Sequence, residues 1–199
     1  MPDKSPDIPA LVGSRICHDL ISPLGAIGNG VELLTMSGTA DGPEIALISE
    51  SVANANARIR FFRIAFGLAQ PGQTLAQTEI RSILADITKG GRLSIIWSPE
   101  GGQARGEVKL AFLLIQCLES ALPYGGDIRV EHINGRWILH GKAEKMKIAP
   151  LLWETLVTPD QRRDITPAQV QFVLVPHTAR RIGRTVQADL QDGEITLVF

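Results

Sequence analysis

The chain has 199 residues, with 44% hydrophobic, 21% charged and 5% aromatic side chains and a formal net charge of −1. That length allows one large domain or two small ones, each with its own core. Residues 1–76 carry 5 basic against 7 acidic side chains and residues 77–199 carry 15 against 14, so neither part is a basic module for nucleic acid.

Two cysteines, Cys17 and Cys117, make neither a disulfide framework nor a C-x-x-C metal pair, which fits a reduced, cytoplasmic setting. Apolar runs such as Leu110 to Ile115 fall far short of the roughly 20 residues of a membrane span. Met1 to Pro6 lacks the apolar core of a signal peptide, and residues 1–7 are expected to fray.

From Ile8 to Ser37 the spacing predicts a helix, with Ile16, Leu20, Ile27, Val31 and Leu34 on one stripe. Ser37 to Gly42 breaks it. A second helix follows, with Asp41 as its cap, Pro43 in its first turn and Glu44 completing a capping box. Its apolar residues Ile45, Ile48, Val52, Ala55, Ile59, Phe62 and Phe66 alternate steps of three and four, a heptad seam stopped by Gln70-Pro71-Gly72. Two long helices with a short connection form an antiparallel hairpin. Both carry apolar residues off the seam: Leu11, Cys17 and Ile21 on the first, Leu47, Phe61 and Ile64 on the second. Pairing two hairpins into a four-helix bundle would bury them, which makes the protein a homodimer; cover by the rest of the chain is the other solution.

Beyond Gly72 the pattern becomes mixed. Thr78–Thr88 reads as a helix, Leu93–Ser98 as a strand and Glu107–Leu122 as a strongly apolar helix. Ile128–His132 and Trp137–His140 flank Asn134-Gly135, a two-residue hairpin turn. Ala149–Val157 is a short helix, and Pro167–Ile182 a longer one capped by Thr166. Val186–Leu190 and Ile195–Phe199 form a second hairpin around Asp192-Gly193. The expected class is α+β: a helical hairpin over residues 8–72, then a two-layer α/β sandwich over 75–199.

Most catalytic signatures are missing: no phosphate-binding glycine loop, no H-E-x-x-H and no G-x-S-x-G. His132, His140 and His177 lack metal-ligand spacing and read as structural or surface residues. His18 differs. With Ser14, Arg15, Ser22, Gly25 and Asn29 it lies on one small, polar face of the first helix, opposite the apolar stripe. Pro23 has no N–H for the carbonyl of Asp19, so the helix should loosen one turn beyond the histidine.

The segment Ser14-Arg15-Ile16-Cys17-His18-Asp19-Leu20-Ile21-Ser22-Pro23-Leu24 resembles the phosphoacceptor box of sensor histidine kinases, H-[ED]-x-x-x-P-L. The order of elements after residue 75 resembles the kinase ATP-binding domain, with its boxes degraded. Gln116 and Ser120 stand where such kinases carry asparagines on a helix, Ser120 at the magnesium-binding position. Gly141-Lys142-Ala143-Glu144-Lys145 lacks the D-x-G-x-G pattern, and Asp164-Ile165-Thr166-Pro167 replaces the glycine-rich lid.

An intact histidine box beside a degraded ATP domain is similar to the ChpT-type histidine phosphotransferases of alphaproteobacteria, as is the wording Gly25-Ala26-Ile27-Gly28-Asn29-Gly30-Val31-Glu32-Leu33-Leu34. The resemblance implies that His18 takes a phosphoryl group from the receiver domain of a hybrid kinase and passes it to response regulators, a CtrA-like cell-cycle regulator among them. It implies no ATP-dependent kinase activity and no cofactor on this chain, the magnesium ion and acidic pocket belonging to the receiver. Asp19 can orient the ring or simply solvate the helix, and Ser22 can contact the phosphoryl group or water. Arg15 and Asn29 are candidate receiver contacts. Arg58, Arg60, Arg63, Arg180, Arg181 and Arg184 read as solvated charge, and Cys17 as packing toward the bundle. A divergent ATP-dependent kinase and a non-catalytic scaffold for response regulators remain open alternatives.

Overall fold

A computed structural model of the chain describes residues 8–37, 43–157 and 165–199. The expected frayed start, the Asp41 cap and Asp164 lie outside the described residues. Helices α1 (Ile8–Ser37) and α2 (Pro43–Ala65) pack as a hairpin. Gly30 sits at their contact, where a Cβ would run into the side chain of Ile48. α1 stays helical through Pro23, whose ring is buried.

α2 ends before the expected stop at Gln70-Pro71-Gly72, and cations from a later helix are the reason. Arg105 donates to the carbonyls of Leu68 (2.9 Å) and Arg63 (3.1 Å), and Lys109 to those of Gly67 (2.7 Å) and Phe66 (3.4 Å). Positive groups satisfy the orphan carbonyls and complement the negative end of the helix.

The remaining elements are β1 (Thr74–Leu75), α3 (Gln77–Thr88), β2 (Leu93–Trp97), β3 (Gln103–Ala104), α4 (Arg105–Ala121), β4 (Gly126–Ile133), β5 (Arg136–Lys142), α5 (Pro150–Val157), α6 (Val170–Arg181), β6 (Gln187–Gln191) and β7 (Glu194–Val198). Five strands form one sheet in the order β2-β4-β5-β7-β6. β2 and β4 run parallel, which requires the crossover through α4, and the other neighbours are antiparallel hairpins or returns. Asn134 (φ 52°) and Gly135 (φ 77°) both take positive φ, as the two-residue turn demands. Thr166 and Gln169 form a capping box around a single 3₁₀ turn, Pro167–Gln169, so the last long helix begins three residues later than expected. The two-residue ladder β1·β3 was not predicted.

Side chains alternate along the strands, and helices cover one face, giving the expected two layers. Trp97, Ile128, Val130, Trp137, Leu139, Ile195 and Leu197 meet the apolar α4 in one core, while Ile96 and Ile133 lie exposed. That core extends into the hairpin. Phe61 stacks on Phe112 at 4.8 Å, Phe112 meets Trp97 edge-on at 6.4 Å, and Trp97 lies 5.4 Å from Trp137. The off-seam residues therefore divide: Phe61 and Ile64 are covered by the C-terminal unit of this same chain, whereas Ile21 and Leu47 stay exposed. Arg60 and Arg63, expected to be solvated, join α2 to α3 through Asp86 (2.7 Å) and Glu79 (3.7 Å), and Arg184 pairs with Glu107.

Phe61→Ala should cost about 3–5 kcal/mol because it leaves a cavity at the joint, and Ile96→Ala on the open sheet face within about 0.5 kcal/mol. Urea unfolding of the two variants checks the contrast.

Candidate functional site

α1 places His18 outward, its side chain 84% exposed, next to an Asp19 side chain that is only 10% exposed. His18 Nδ1 lies 3.1 Å from Asp19 Oδ1. An ionised carboxylate only accepts, so in the neutral imidazole this contact favours the tautomer with its proton on Nδ1 and its lone pair on Nε2. The other carboxylate oxygen is engaged as well: Arg15 Nε donates to Asp19 Oδ2 at 2.8 Å, one helical turn back. Arg58 of α2 comes within 3.8 Å of the same oxygen and donates to Asn54 Oδ1 at 3.1 Å.

Two hollows flank this pair. A groove of 300 Å³ runs between the hairpin helices, with Ser22 and Pro23 on one wall and Leu47 and Asn54 on the other. A deeper cavity of 520 Å³ separates the hairpin from the C-terminal unit, with Arg15, Asp19 and Arg58 facing Arg92, Gln116 and Glu119. Desolvation pushes the Glu119 carboxyl up from its ordinary value, Arg15 and Arg58 oppose that rise, and Asp19 adds to it.

Arg15, His18, Asp19 and Ser22 therefore come together, and Ser22 is exposed one turn beyond the histidine. Asn29 is exposed on the same helix, roughly 16 Å further along at 1.5 Å per residue. Arg15, besides holding Asp19, donates to the carbonyl of Ala168 at 2.9 Å, and its side chain is 18% exposed. Its donors face inward because the C-terminal unit packs against α1 there. Arg58 was expected to be solvated and instead closes the carboxylate's surroundings from another helix, a contact with no local sequence signal. Cys17, expected to pack, is exposed in the single chain.

The positions compared above with the kinase nucleotide boxes make contacts within the fold. Ser120 donates its hydroxyl to the carbonyl of Cys117 at 2.6 Å, and Gln116 lines the hairpin-side cavity. After β5, the amide of Lys147 bonds the carbonyl of Ala121 at 2.9 Å, and the buried Trp153 of α5 packs edge-on against Phe172 at 5.4 Å. His132 stacks on Trp137 at 4.5 Å, and His140 lies 3.1 Å from the hydroxyl of Thr196. Among the described residues no group of three or more His, Cys, Asp or Glu is placed to hold a metal ion, and no helix is long and apolar enough to cross a membrane.

Residues 77–194 match the model of the histidine phosphotransferase C-terminal domain. The chain is 32% identical to the protein phosphotransferase ChpT of Brucella abortus (strain 2308) over 196 residues, 94% of this chain and 92% of that protein. A solved bacterial phosphotransferase superposes with a TM-score of 0.78 at 29% identity, covering 96% of this chain and 95% of the other.

Burial pushes the Cys117 thiol well up, so almost none of it is thiolate at neutral pH. In a Cys17→Ser chain, iodoacetamide should leave Cys117 untouched under native conditions and alkylate it fully in urea, which mass spectrometry reads directly.

Proposed function

Since the chain belongs to the histidine phosphotransferases, as a ChpT-type protein phosphotransferase acting in a phosphorelay, we propose that His18 is the residue that carries the phosphoryl group. The observation that supports this is the outward imidazole whose Nδ1 is held by a largely covered, ion-paired Asp19. The Nε2 lone pair attacks the phosphorus of an aspartyl phosphate on a docked receiver. The P–N bond forms as the P–O bond to the aspartate breaks, and the freed carboxylate leaves. The ring then bears a positive charge, with its Nδ1 proton facing Asp19. In the second transfer an aspartate of another receiver attacks the phosphorus and the neutral imidazole returns. Metal ion and acidic pocket come from the receiver, so this chain contributes a positioned nucleophile.

Ser22 lines the groove beside His18 and is placed to meet the phosphoryl group or its water. Asn29, exposed on the same helix, is a receiver contact in this reading, and Arg15 acts from below the histidine. The donors and acceptors are receiver domains of a hybrid histidine kinase and of response regulators, including one of the CtrA type, in the cytoplasm.

The working form is a homodimer. Ile21, Leu24 and Val31 of α1, with Cys17 on the same stripe, and Ile45, Val52 and Ile59 of α2 lie exposed at heptad spacing. A patch of that kind on a hairpin is what a second hairpin covers in a four-helix bundle.

Incubation with an isotopically phosphorylated receiver, without ATP, should place acid-labile label on the wild-type chain and none on His18→Ala. No label from receivers that bind the chain would leave only a scaffold. By light scattering the wild type should show twice the 21.6 kDa chain mass, and Ile21→Glu with Val52→Glu should return it to the single-chain value.

A further inference from the structure

Four groups lie in line at the foot of the histidine: the Ala168 carbonyl, the Arg15 guanidinium, the Asp19 carboxylate and the His18 imidazole. Successive contacts are 2.9, 2.8 and 3.1 Å. Resting on His18 as the phosphoacceptor, we propose that Arg15 is a positioning residue through which the C-terminal unit fixes the tautomer of that histidine.

Ala168 lies 153 residues beyond Arg15, in the 3₁₀ turn that opens α6. Its carbonyl is itself held: it accepts from Gln171 Nε2 at 3.0 Å, and the Thr166–Gln169 capping box braces the turn. The guanidinium is a rigid plane, so committing Nη1 to Ala168 and Nε to Asp19 at once sets its orientation. Arg15 thereby claims Oδ2 of Asp19 and turns Oδ1 toward His18. The imidazole, 84% exposed, is hydrogen-bonded to Asp19, so whatever fixes the carboxylate fixes the ring proton. Without Arg15, the carboxylate answers to Arg58 at 3.8 Å on α2, while Glu119 of α4 faces the same cavity and repels it. A lysine keeps the charge but cannot make both bonds with a fixed geometry.

The test separates positioning from docking by using phosphoramidate, a donor too small to have a docking surface. With it, His18 Nε2 attacks phosphorus, the P–N bond of the donor breaks and ammonia leaves. In the full-length chain, Arg15→Gln should lower the fraction of neutral His18 protonated on Nδ1, read from ring ¹⁵N shifts. It should also slow phosphoramidate labelling by about tenfold or more, the scale on which loss of an orienting partner acts. Arg15→Lys should recover part of both. Thr166→Ala with Gln169→Ala, which leaves the hairpin intact and loosens only the Ala168 turn, should move both readouts in the same direction. If Arg15→Gln slows transfer from a phosphorylated receiver but leaves the ring shifts and phosphoramidate labelling unchanged, Arg15 is a receiver contact and the proposal is overturned. If the double variant leaves both readouts at wild-type values, the link to the C-terminal unit is overturned. Absence of label on wild-type His18 from either donor defeats the phosphoacceptor reading itself, an outcome distinct from the other two.

Discussion

The anchoring of the C-terminal end of α2 in the rest of the chain is the constraint from which the other geometry follows. A helix end exposes carbonyls that must find donors, and here Arg105 and Lys109, both in the first turns of α4, supply them. Burial, and then Arg181 and Arg105, hold Lys109 below its ordinary pKa, so this cluster of cations costs free energy that the helix carbonyls offset. Beside it Phe61 stacks on Phe112, which carries the hairpin into the sheet's own core. With that end fixed, the hairpin cannot swing freely on the sandwich. α1, packed along α2, is delivered to the turn before α6, and Arg15 comes within hydrogen-bonding distance of Ala168.

The same anchoring explains why the heptad of α2 does not face one neighbour. Ala55 and Phe62 turn into this chain, while Ile45, Val52 and Ile59 turn out. A seven-residue repeat gives one apolar stripe, and a stripe wide enough for two neighbours reads in sequence like a single seam. A second neighbour for the upper part is what the proposed homodimer would supply, whereas the lower part has already met the sandwich. Cys17 follows the outward stripe with Ile21 and Leu24, which accounts for its exposure in the single chain without making it a polar position.

What could be read from the sequence is what short-range chemistry determines. Asn134-Gly135 fixes its hairpin because both residues accept positive φ, and Thr166 with Gln169 marks the start of the last helix within one turn. The two layers followed from helices interleaved with such hairpins. Three features escaped because their causes lie far off in the chain. β1 and β3 are two residues each and exist by pairing with one another. The end of α2 is set by cations some forty residues later. The surroundings of Asp19 combine residues of α1 and α2 with the Ala168 carbonyl, and only the i, i+4 part of that set, Arg15 and Asp19, leaves a trace in local spacing.

If His18 is the relay histidine, as proposed, the shared carboxylate also bears on why it should be built this way. A relay must accept a phosphoryl group and give it up again, so neither form of the imidazole can be strongly favoured; each 1.4 kcal/mol of bias shifts the ratio about tenfold. A lone carboxylate at Nδ1 would stabilise the positively charged phosphorylated ring and hold the group back. With Arg15 and Arg58 drawing on the same carboxylate, Asp19 keeps its power to orient the ring while losing part of its charge to the guanidiniums. Orientation and charge stabilisation are thereby set by different contacts, the first by the fork from Arg15 and the second by the balance between Asp19 and its two guanidinium partners. In the proposed arrangement, a C-terminal unit whose Ser120 bonds its own helix and whose Gln116 faces the hairpin would still act on the histidine, through the carbonyl that holds Arg15.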